Sequence, residues 1–435
     1  MDRKHRSSLR QKAASRSRFH AGISDEPGDA HRLNPAHEGK GWPRHPTQGK
    51  QPMMIGDFYN YFDLLQEDEQ RIVLRVRDFM AKEIAPIADE AWMRSTFPHH
   101  VVPELAKLEV AGLQHGRARS LLIGFVVLEM NRVDPSIGTF FGVHSGLAMG
   151  SISRLGSKEQ RERWLPGMAR LEKIGAFALT EPEGGSDVAA GLRTTAGRQD
   201  GTWVLNGGKR WIGNATFADL VVVWAKDEAD GHVKGFVVEK GTPGFTATKI
   251  DNKIALRTVE NADIVLADCR VPEDNRLTGA NTFRDTATIL RQTRGGVAWQ
   301  AVGCMMGAYE RALSYAKERR QFGRPIAGFQ LVQDLLVRML GNVTSSLGMA
   351  VRLAQLQDAG IYRDEDSAMA KAFCTARMRE AVGWGREIMG GNGIVLDYGM
   401  GRFVADSEAI YSYEGTREIN SLIVGRAITG LSAFA

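Results

Sequence analysis

The sequence predicts an α+β protein in which a helical region, a region of short strands and a second helical region follow one another. From Asp68 onward, apolar residues recur at three- and four-residue steps between charges, which is the period of an amphipathic helix. Between residues 176 and 285 the apolar runs are short and separated by Gly, Asn and Asp, as is typical of an antiparallel sheet. Helical periodicity returns after residue 285. A doubly wound parallel sheet is not expected, because strands and helices do not alternate regularly.

These changes in pattern predict four parts. They are a disordered basic tail at 1–52, an N-terminal helical domain at 53–175, a central antiparallel β domain at 176–285 and a C-terminal helical domain at 286–435. Residues 1–50 hold eleven Lys/Arg and five Asp/Glu, whereas the other 385 residues hold 45 and 46. The net charge of +5 therefore comes from the tail. A nearly neutral body argues against a nucleic-acid-binding surface.

The start of the chain bears on where the protein is located. The first 22 residues contain one acidic residue and nine Lys, Arg or His, a composition similar to that of an organelle transit peptide. They lack a clear apolar face, and Met53 and Met54 directly precede the first helical segment, so a start codon assigned too early is an equal alternative. We expect a cytoplasmic protein, with the mitochondrial matrix as the alternative. With no run of 18 apolar residues in the sequence, no membrane association is expected.

The cysteines and histidines exclude two classes of site. The three cysteines, Cys269, Cys304 and Cys374, are far apart and form no C-x-x-C pair, which fits a reducing compartment without disulfides. The sequence contains no H-E-x-x-H motif or similar histidine-carboxylate cluster, so no metal site is expected.

Three segments carry groups suited to chemistry. Residues 179–187, LTEPEGGSD, lead from an apolar strand into a Gly-rich loop whose N–H groups and hydroxyls can bind an anion, although an ordinary turn explains them equally well. Residues 206–214, NGGKRWIGN, place Trp211 after a tight turn, where a lone Trp more often belongs to a core. Residues 411–420, YSYEGTREIN, place Glu414 before Gly415, where another molecule can approach the backbone closely. Alone, Glu414 would more simply be a solvated acid at a helix start.

Together and in this order, the segments make residues 57–435 strongly similar to the acyl-CoA dehydrogenase/oxidase family. The family pattern L-T-E-P-x-x-G-S-D is met in full, and R-x-Q-F-G-x-P, G-G-N-G and Y-E-G-T follow. Residues 210–214, RWIGN, and 425–430, GRAITG, resemble glutaryl-CoA dehydrogenase and the short-chain acyl-CoA oxidases of plants in particular. The resemblance implies an N-terminal helical domain, a central β domain and a C-terminal four-helix bundle. It also implies a homotetramer that binds FAD where domains and subunits meet.

The resemblance also implies roles for individual residues. Glu414 matches the family's catalytic base, and Gly415 would lie against the substrate thioester. Ser186 and Arg294 match positions near bound CoA. Positions that match flavin contacts are Phe177, Leu179, Thr180, Ser186, Trp211, Ile212, Gly213, Thr416 and Glu418. Positions that match contacts made to FAD across a subunit interface are Arg319, Phe322, Gln330, Glu387, Gly390 and Gly391.

The implied activity is dehydrogenation of a short-to-medium acyl-CoA to the trans-2-enoyl-CoA, as in fatty acid β-oxidation, with electrons passed to an electron-transfer flavoprotein. A thioester α-proton is far too weakly acidic for a carboxylate whose pKa lies near the ordinary ~4.3. The site must therefore raise the pKa of Glu414 by removing it from water. In the family, the backbone N–H of the base residue and a ribityl hydroxyl stabilise the enolate oxygen.

Three departures from the family pattern limit this interpretation. Gly138 stands where glutaryl-CoA dehydrogenases carry an Arg for the distal carboxylate, so glutaryl-CoA is the less favoured alternative substrate. Gly213 stands where dehydrogenases usually carry Thr, and Gly also occurs there in the plant oxidases. An oxidase that uses O2 is therefore a further alternative. The connection at 112–122 is several residues shorter than the family's Gly-rich loop, which would open the acyl pocket. The rings of Phe140, Phe141 and His144 lie close to Gly138 in sequence and would instead shorten it, so the acyl chain length stays open.

Overall fold

The computed structural model describes residues 55–433. The predicted disordered tail at 1–52 lies outside the described residues. Within them, a helical part, a β-sheet and a second helical part follow one another, which confirms the predicted fold class. In the described range, no helix is both long and apolar enough to cross a membrane.

The N-terminal part is built from short helices, and three of them, α1, α5 and α7, begin at a side-chain cap or capping box. Gln66 and Glu69 form a reciprocal capping box at the start of α1. The Asp134 side chain accepts hydrogen bonds from the N–H groups of Ser136 and Ile137 at the start of α5. A π-helix at Gly142–Met149 continues α5 without a break. The helices are α1 (Glu67–Phe79), α2 (Ala88–Arg94), α3 (Val102–Ala106), α4 (Ser120–Val133), α5 (Pro135–Phe141), α6 (Gly150–Leu155) and α7 (Lys158–Ala169).

The central part is a seven-stranded sheet in which neighbouring strands follow the order β1-β4-β2-β3-β7-β6. Its strands are β1 (Gly175–Ala178), β2 (Thr195–Gln199), β3 (Thr202–Gly213), β4 (Leu220–Asp227), β5 (Val233–Glu239), β6 (Phe245–Lys249) and β7 (Asn261–Pro272). β1 and β2 pair with different parts of β4, and β5 pairs with β4 along nearly its whole length. The prediction of a purely antiparallel sheet is wrong for two pairings, because β1 and β2 both run parallel to β4. Parallel neighbours need a crossover rather than a hairpin. The connection at 179–194 supplies part of that crossover, and it carries the Gly-rich motif.

Up to residue 433, the C-terminal part contains five α-helices, of which α8 packs against the N-terminal helix α4. They are α8 (Phe283–Glu318), α9 (Gln330–Asp358), α10 (Asp364–Met389), α11 (Met400–Ser412) and α12 (Arg417–Thr429), and a hairpin of β8 (Arg320–Gln321) and β9 (Arg324–Pro325) joins α8 to α9. Glycines bring α8 against α4, because a Cβ at Gly307 would lie 2.0 Å from the carbonyl oxygen of Arg132. The groups that α8 presents to α11 and α12 are therefore held firmly.

His144 fastens the N-terminal helices to the sheet. Its Nδ1 accepts a hydrogen bond from the N–H of Gly175 at 2.9 Å, and its Nε2 donates to the carbonyl oxygen of Met168 at 3.0 Å. Complete burial lowers the pKa of His144 to about 4, so the ring is neutral at physiological pH. Phe140 is also fully buried and packs against Phe97. Both rings serve the packing between helices and sheet, and nothing in these contacts supports the expectation that they shorten an acyl pocket.

Candidate active site

Glu414 lies in the four-residue turn between α11 and α12. Its φ is +57°, and that of Gly415 is +84°, so two consecutive residues have left-handed backbone conformations. Glycine adopts this conformation without strain, but a residue with a Cβ does so at a cost of about 1–2 kcal/mol. The turn brings the Glu414 side chain to α8, where Oε2 accepts a hydrogen bond from the Thr293 hydroxyl at 2.7 Å.

The environment of Glu414 raises its pKa above the ordinary value. Removal from water is the largest cause, because burial disfavours the charged carboxylate. The hydrogen bond from Thr293 and the positive charges of Arg294 and Lys371 act in the opposite direction without cancelling the effect of burial. A carboxyl group with a raised pKa is a stronger base when ionised, which is what abstraction of a weakly acidic proton needs.

Lys371 of α10 holds the Glu414 turn through backbone carbonyl groups on both sides of Glu414. Its ammonium group donates to the carbonyl oxygens of Tyr411 and Gly415, both at 2.7 Å, and the side chain is fully buried. Asn420 also donates to the Gly415 oxygen, at 2.8 Å. Burial lowers the pKa of Lys371 to about 8. The turn is therefore held by side chains of two different helices.

Two further residues of α8 lie beside the turn. The hydroxyl of Tyr413 donates to Oε1 of Gln300 at 2.5 Å. The Nε atom of Arg294 is buried, has no hydrogen-bond partner among the described residues, and lies 3.9 Å from the Cβ position at Gly415. Sequence reasoning found Arg294, Glu414 and Gly415 but missed Thr293, Gln300 and Lys371. For Lys371 a signal did exist, because it is the one charge in the helical stretch Ser367–Cys374, SAMAKAFC.

The two predicted flavin segments lie side by side, as their proposed common ligand requires. The N–H of Arg210 donates to the carbonyl oxygen of Thr180 at 2.9 Å. Fully buried Lys209 donates to the carbonyl oxygen of Leu179 at 3.1 Å and to Oε1 of Glu181 at 2.8 Å. The carboxylate of Glu181 also accepts from the N–H groups of Arg193 and Thr194. This network fixes the start of the Gly-rich loop against β3.

The surface formed by these segments suits a flat aromatic group with phosphates attached. The Trp211 ring is half exposed, and the Arg210 guanidinium lies 4.9 Å from its centre. Nothing lies within 4 Å of the Cβ position at Gly184, so the backbone of the loop is open to a ligand. Phe177, Leu179, Ile212 and Gly213 are buried beneath this surface, Thr180 is half-buried and Ser186 is exposed. The residues present therefore fit a flavin nucleotide.

The residues predicted to reach FAD across a subunit interface lie far from Glu414 within one chain. From Thr293 to Glu318, α8 rises by about 37 Å at 1.5 Å per residue. Phe322 in the following hairpin is 93% exposed, with a φ of +49°. Arg319, Gln330, Glu387, Gly390 and Gly391 are also exposed. The structure does not bring this group to the Glu414 turn.

Two residues of α12 have local roles. The Thr416 hydroxyl accepts a hydrogen bond from the N–H of Ile419 at 3.2 Å and thereby caps the helix. Glu418 is exposed and pairs with Arg417 at 3.1 Å. Both contacts are local to the start of α12, and in its contact the Thr416 hydroxyl is the acceptor.

Gly138 is closely packed, and the arginine nearest to it in sequence is paired. A Cβ at Gly138 would lie 2.2–2.5 Å from the side-chain amide of Asn131, so a larger residue cannot be placed there without moving Asn131. Arg132, the nearest arginine in sequence, pairs with Glu129 at 2.9 Å and with Glu310 at 2.6 Å.

A carboxyl group with a raised pKa and a surface that suits a flavin are the two features that an oxidoreductase acting on a carbon acid needs. Family models identify the class more closely. The acyl-CoA dehydrogenase N-terminal domain matches residues 66–172, the middle domain matches 176–269 and the C-terminal domain matches 283–429. The chain belongs to the acyl-CoA dehydrogenase family, whose members are FAD-dependent oxidoreductases acting on CH–CH donors.

Individual relatives agree with this assignment. An acyl-CoA dehydrogenase of Bacillus subtilis (strain 168) is 33% identical over 374 residues, covering 83% of this chain and 98% of its own. The mitochondrial short-chain specific acyl-CoA dehydrogenase of Mus musculus is 32% identical over 375 residues, covering 83% of this chain and 90% of its own. A glutaryl-CoA dehydrogenase of Mycobacterium smegmatis in complex with FADH2 superposes with a TM-score of 0.84 at 33% identity, covering 87% of this chain and 98% of its own.

Proposed function

We propose that this protein oxidises a short-to-medium acyl-CoA to the trans-2-enoyl-CoA and passes the electrons to an electron-transfer flavoprotein. The proposal includes a cytoplasmic location and a role in fatty acid β-oxidation. The observation that carries it is the Glu414 turn, which combines a carboxyl group of raised pKa with a strained backbone held by Thr293 and Lys371. Strain that the surrounding structure maintains is typical of catalytic positions.

In this proposal Glu414 removes the α-proton of the thioester. Its backbone N–H has no acceptor among the described residues and can therefore donate to the thioester oxygen. One such preorganised donor stabilises a developing oxyanion by about 3–4 kcal/mol in measured cases. The buried Nε of Arg294, close to Gly415, and the exposed hydroxyl of Ser186 are the groups proposed to bind CoA.

FAD, when bound, supplies the acceptor for the hydrogen that leaves the β-carbon. Phe177, Leu179, Thr180, Trp211 and Ile212 would hold it on the surface beside β3. The contacts of Lys209 keep Leu179 and Glu181 in place and so fix the shape of that surface.

A homotetramer is part of the proposal, because one chain offers two separate groups of flavin-binding candidates. The exposed group around Phe322 follows the C-terminal end of α8, which lies about 37 Å along the helix axis from Thr293, the residue that contacts Glu414. A second subunit that places its hairpin against the Trp211 surface would complete the site.

Anaerobic reduction of the purified yellow enzyme tests the reaction and the substrate class together. Butyryl- and hexanoyl-CoA should bleach the flavin, with kcat/KM changing gradually, because an apolar pocket discriminates by only about 1–3 kcal/mol per methylene. Glutaryl-CoA should be much poorer, because a distal carboxylate buried without a partner costs several kcal/mol. If glutaryl-CoA is the best of the three, or releases carbon dioxide, the argument from Gly138 and Arg132 is wrong.

Gly213 favours a second candidate function, an oxidase that uses O2. A Cβ at this position would lie 3.2 Å from Cγ2 of Val143, so the site is packed for glycine and offers no hydroxyl. Repeating the assay in air, with peroxide measured, separates the two functions. One peroxide formed per enoyl-CoA, at a rate equal to anaerobic flavin reduction, would support the oxidase and contradict the dehydrogenase.

A further inference from the structure

Trp211 and Leu256 both have left-handed backbones, although neither is glycine. Trp211 has a φ of +64°, at a bulge where β3 shifts its register against β7. Leu256 has a φ of +46° and is buried in the loop at 250–260, which joins β6 to β7. Strained residues of this kind persist only where the surrounding structure holds them. One side chain, that of Lys253, connects the two.

The ammonium group of Lys253 has three acceptors. It donates to the carbonyl oxygens of Leu256 and Val259, at 2.9 and 2.6 Å. It also donates to Oδ1 of Asn261, at 2.7 Å. An ammonium group has three N–H donors, so the number of acceptors matches. Burial lowers the pKa of Lys253 to about 8, which leaves the group charged at pH 7. Lys253 therefore fixes the Leu256 backbone and the Asn261 side chain together.

Asn261, the first residue of β7, extends this contact to Trp211. Because Oδ1 of Asn261 is held by Lys253, the amide nitrogen Nδ2 is directed to the carbonyl oxygen of Trp211, to which it donates at 3.3 Å. A positive charge on the oxygen side of an amide polarises it and strengthens its N–H donors. Loss of the Lys253 ammonium group would therefore free the amide to turn and also weaken its bond to Trp211.

The same loop is tied to the helix that precedes the Glu414 turn. The N–H of Leu256 donates to Oδ1 of Asp406 at 2.6 Å, and Asp406 is fully buried on α11. Helix α11 ends at Ser412, two residues before Glu414. The loop therefore links the bulge at the end of β3 with the helix that leads to the Glu414 turn.

We propose that Lys253 and Asn261 are positioning residues, which hold the Trp211 backbone and thereby keep its ring in place against the flavin. This inference rests on the proposed function, because it takes the Trp211 ring to lie against the flavin. Loss of either contact should let the bulge relax and move the ring. Small displacements at a reacting centre slow the reaction more than they weaken binding, so the rate should fall while FAD stays bound.

Anaerobic flavin reduction by the holoenzyme tests the inference, at a saturating concentration of whichever of butyryl- and hexanoyl-CoA is the better substrate. Asn261→Asp keeps an acceptor for Lys253 but places a carboxylate oxygen against the Trp211 carbonyl. The limiting rate should fall about tenfold, the size of one hydrogen bond, with unchanged FAD content. Lys253→Met should cause a similar loss. Asn252→Asp makes the same change at an exposed residue of the same loop, and this variant should keep the wild-type rate.

A double-mutant cycle with Trp211→Ala, measured with FAD in excess, distinguishes positioning from general support of the fold. If Asn261 and Lys253 act through the Trp211 ring, adding Asn261→Asp or Lys253→Met to Trp211→Ala should slow reduction no further. Multiplied losses in the double variants would overturn the inference, and so would a wild-type rate in Asn261→Asp. In Asn261→Asp, Lys253 keeps its three acceptors, so the test does not depend on whether Lys253→Met folds.

The wild-type enzyme separates failure of this inference from failure of the proposed function. If an acyl-CoA bleaches the wild-type flavin while the losses multiply, only the positioning role of Lys253 and Asn261 fails. If no acyl-CoA bleaches the wild-type flavin, the proposed function fails together with the inference.

Discussion

Lys209 and Lys371 are both fully buried, and burial lowers the pKa of each to about 8, but they support different halves of the site. Lys209 pairs directly with the carboxylate of Glu181, which is itself bonded to two backbone N–H groups. Lys371 has no carboxylate in contact among the described residues and bonds to two neutral carbonyl oxygens. Its charge therefore acts on Glu414, the pKa of which it lowers.

The comparison shows that equal burial does not mean equal function. The charge of Lys209 is neutralised by the carboxylate of Glu181, which it contacts directly, so this lysine fixes the shape of the Gly-rich loop at 179–187. The charge of Lys371 is neutralised only at longer range, so this lysine both positions the Glu414 turn and lowers the pKa of the Glu414 carboxyl group. The two lysines should respond differently to the same substitution.

The largest expected effect is on stability, from Lys209→Met. Removing one partner of a buried ion pair leaves Glu181 buried without a counter-charge, which should lower the free energy of unfolding by about 3–5 kcal/mol. Urea denaturation of the holoenzyme measures this. Lys158→Met is the matched control, because Lys158 forms an exposed pair with Glu162 at 3.8 Å and such pairs contribute about 1 kcal/mol or less. Equal losses in the two variants would mean that Lys209 is not needed for stability.

Glu414→Gln should cause the next largest effect, on rate. Flavin reduction by the best acyl-CoA should fall by at least ~10²-fold, because the amide cannot accept the α-proton. FAD content should stay unchanged. Glu408→Gln makes the same change on α11 at a half-exposed residue paired with Arg379, and this variant should reduce flavin at nearly the normal rate. Near-normal reduction by Glu414→Gln would mean that another group is the base.

Lys371→Met should slow flavin reduction at pH 7 by about tenfold. The variant loses the hydrogen bonds that position the Glu414 turn and the positive charge that acts on the Glu414 carboxyl group. The sign follows from the positive charge, which lowers the pKa of Glu414. Its loss raises that pKa further, so the acidic limb of the pH–rate profile should move to higher pH. Above pH 8 the difference in rate between the wild type and Lys371→Met should shrink, because wild-type Lys371 then loses its own proton. In Lys209→Met the acidic limb of the pH–rate profile should stay in place. An equal shift in Lys209→Met and Lys371→Met would contradict the inference that only Lys371 acts on the pKa of Glu414.

Thr293→Val should have the smallest effect. The hydroxyl donates to Glu414 and lowers its pKa, so its loss should slow flavin reduction two- to tenfold at pH 7 and move the acidic limb to higher pH. Stopped-flow reduction across pH 6–9 measures both. A slower rate that higher pH does not restore would show that Thr293 positions the carboxylate rather than favouring its charged form.

The fold class predicted from the sequence is confirmed, whereas the site residues proposed from short motifs stay predictions. Glu414, Gly415 and the loop at 179–187 could be found because each combines a functional group with a local backbone requirement. The supporting residues could not, because Thr293 and Glu414 are 121 positions apart and meet only through helix packing. The parallel pairing of β1 with β4 was missed for a similar reason, since apolar alternation does not encode strand direction. His144 resembled a pocket residue, yet its ring nitrogens are used by Gly175 and Met168.

The left-handed backbone of Glu414 places stability and activity in opposition. A glycine at this position would relieve the strain and remove a partly buried carboxyl group, so the chain would gain stability while losing its proposed base. Selection for a robust fold alone would therefore drive this position away from glutamate. Directed evolution for heat resistance, without a screen for turnover, should accumulate Glu414→Gly among its first changes.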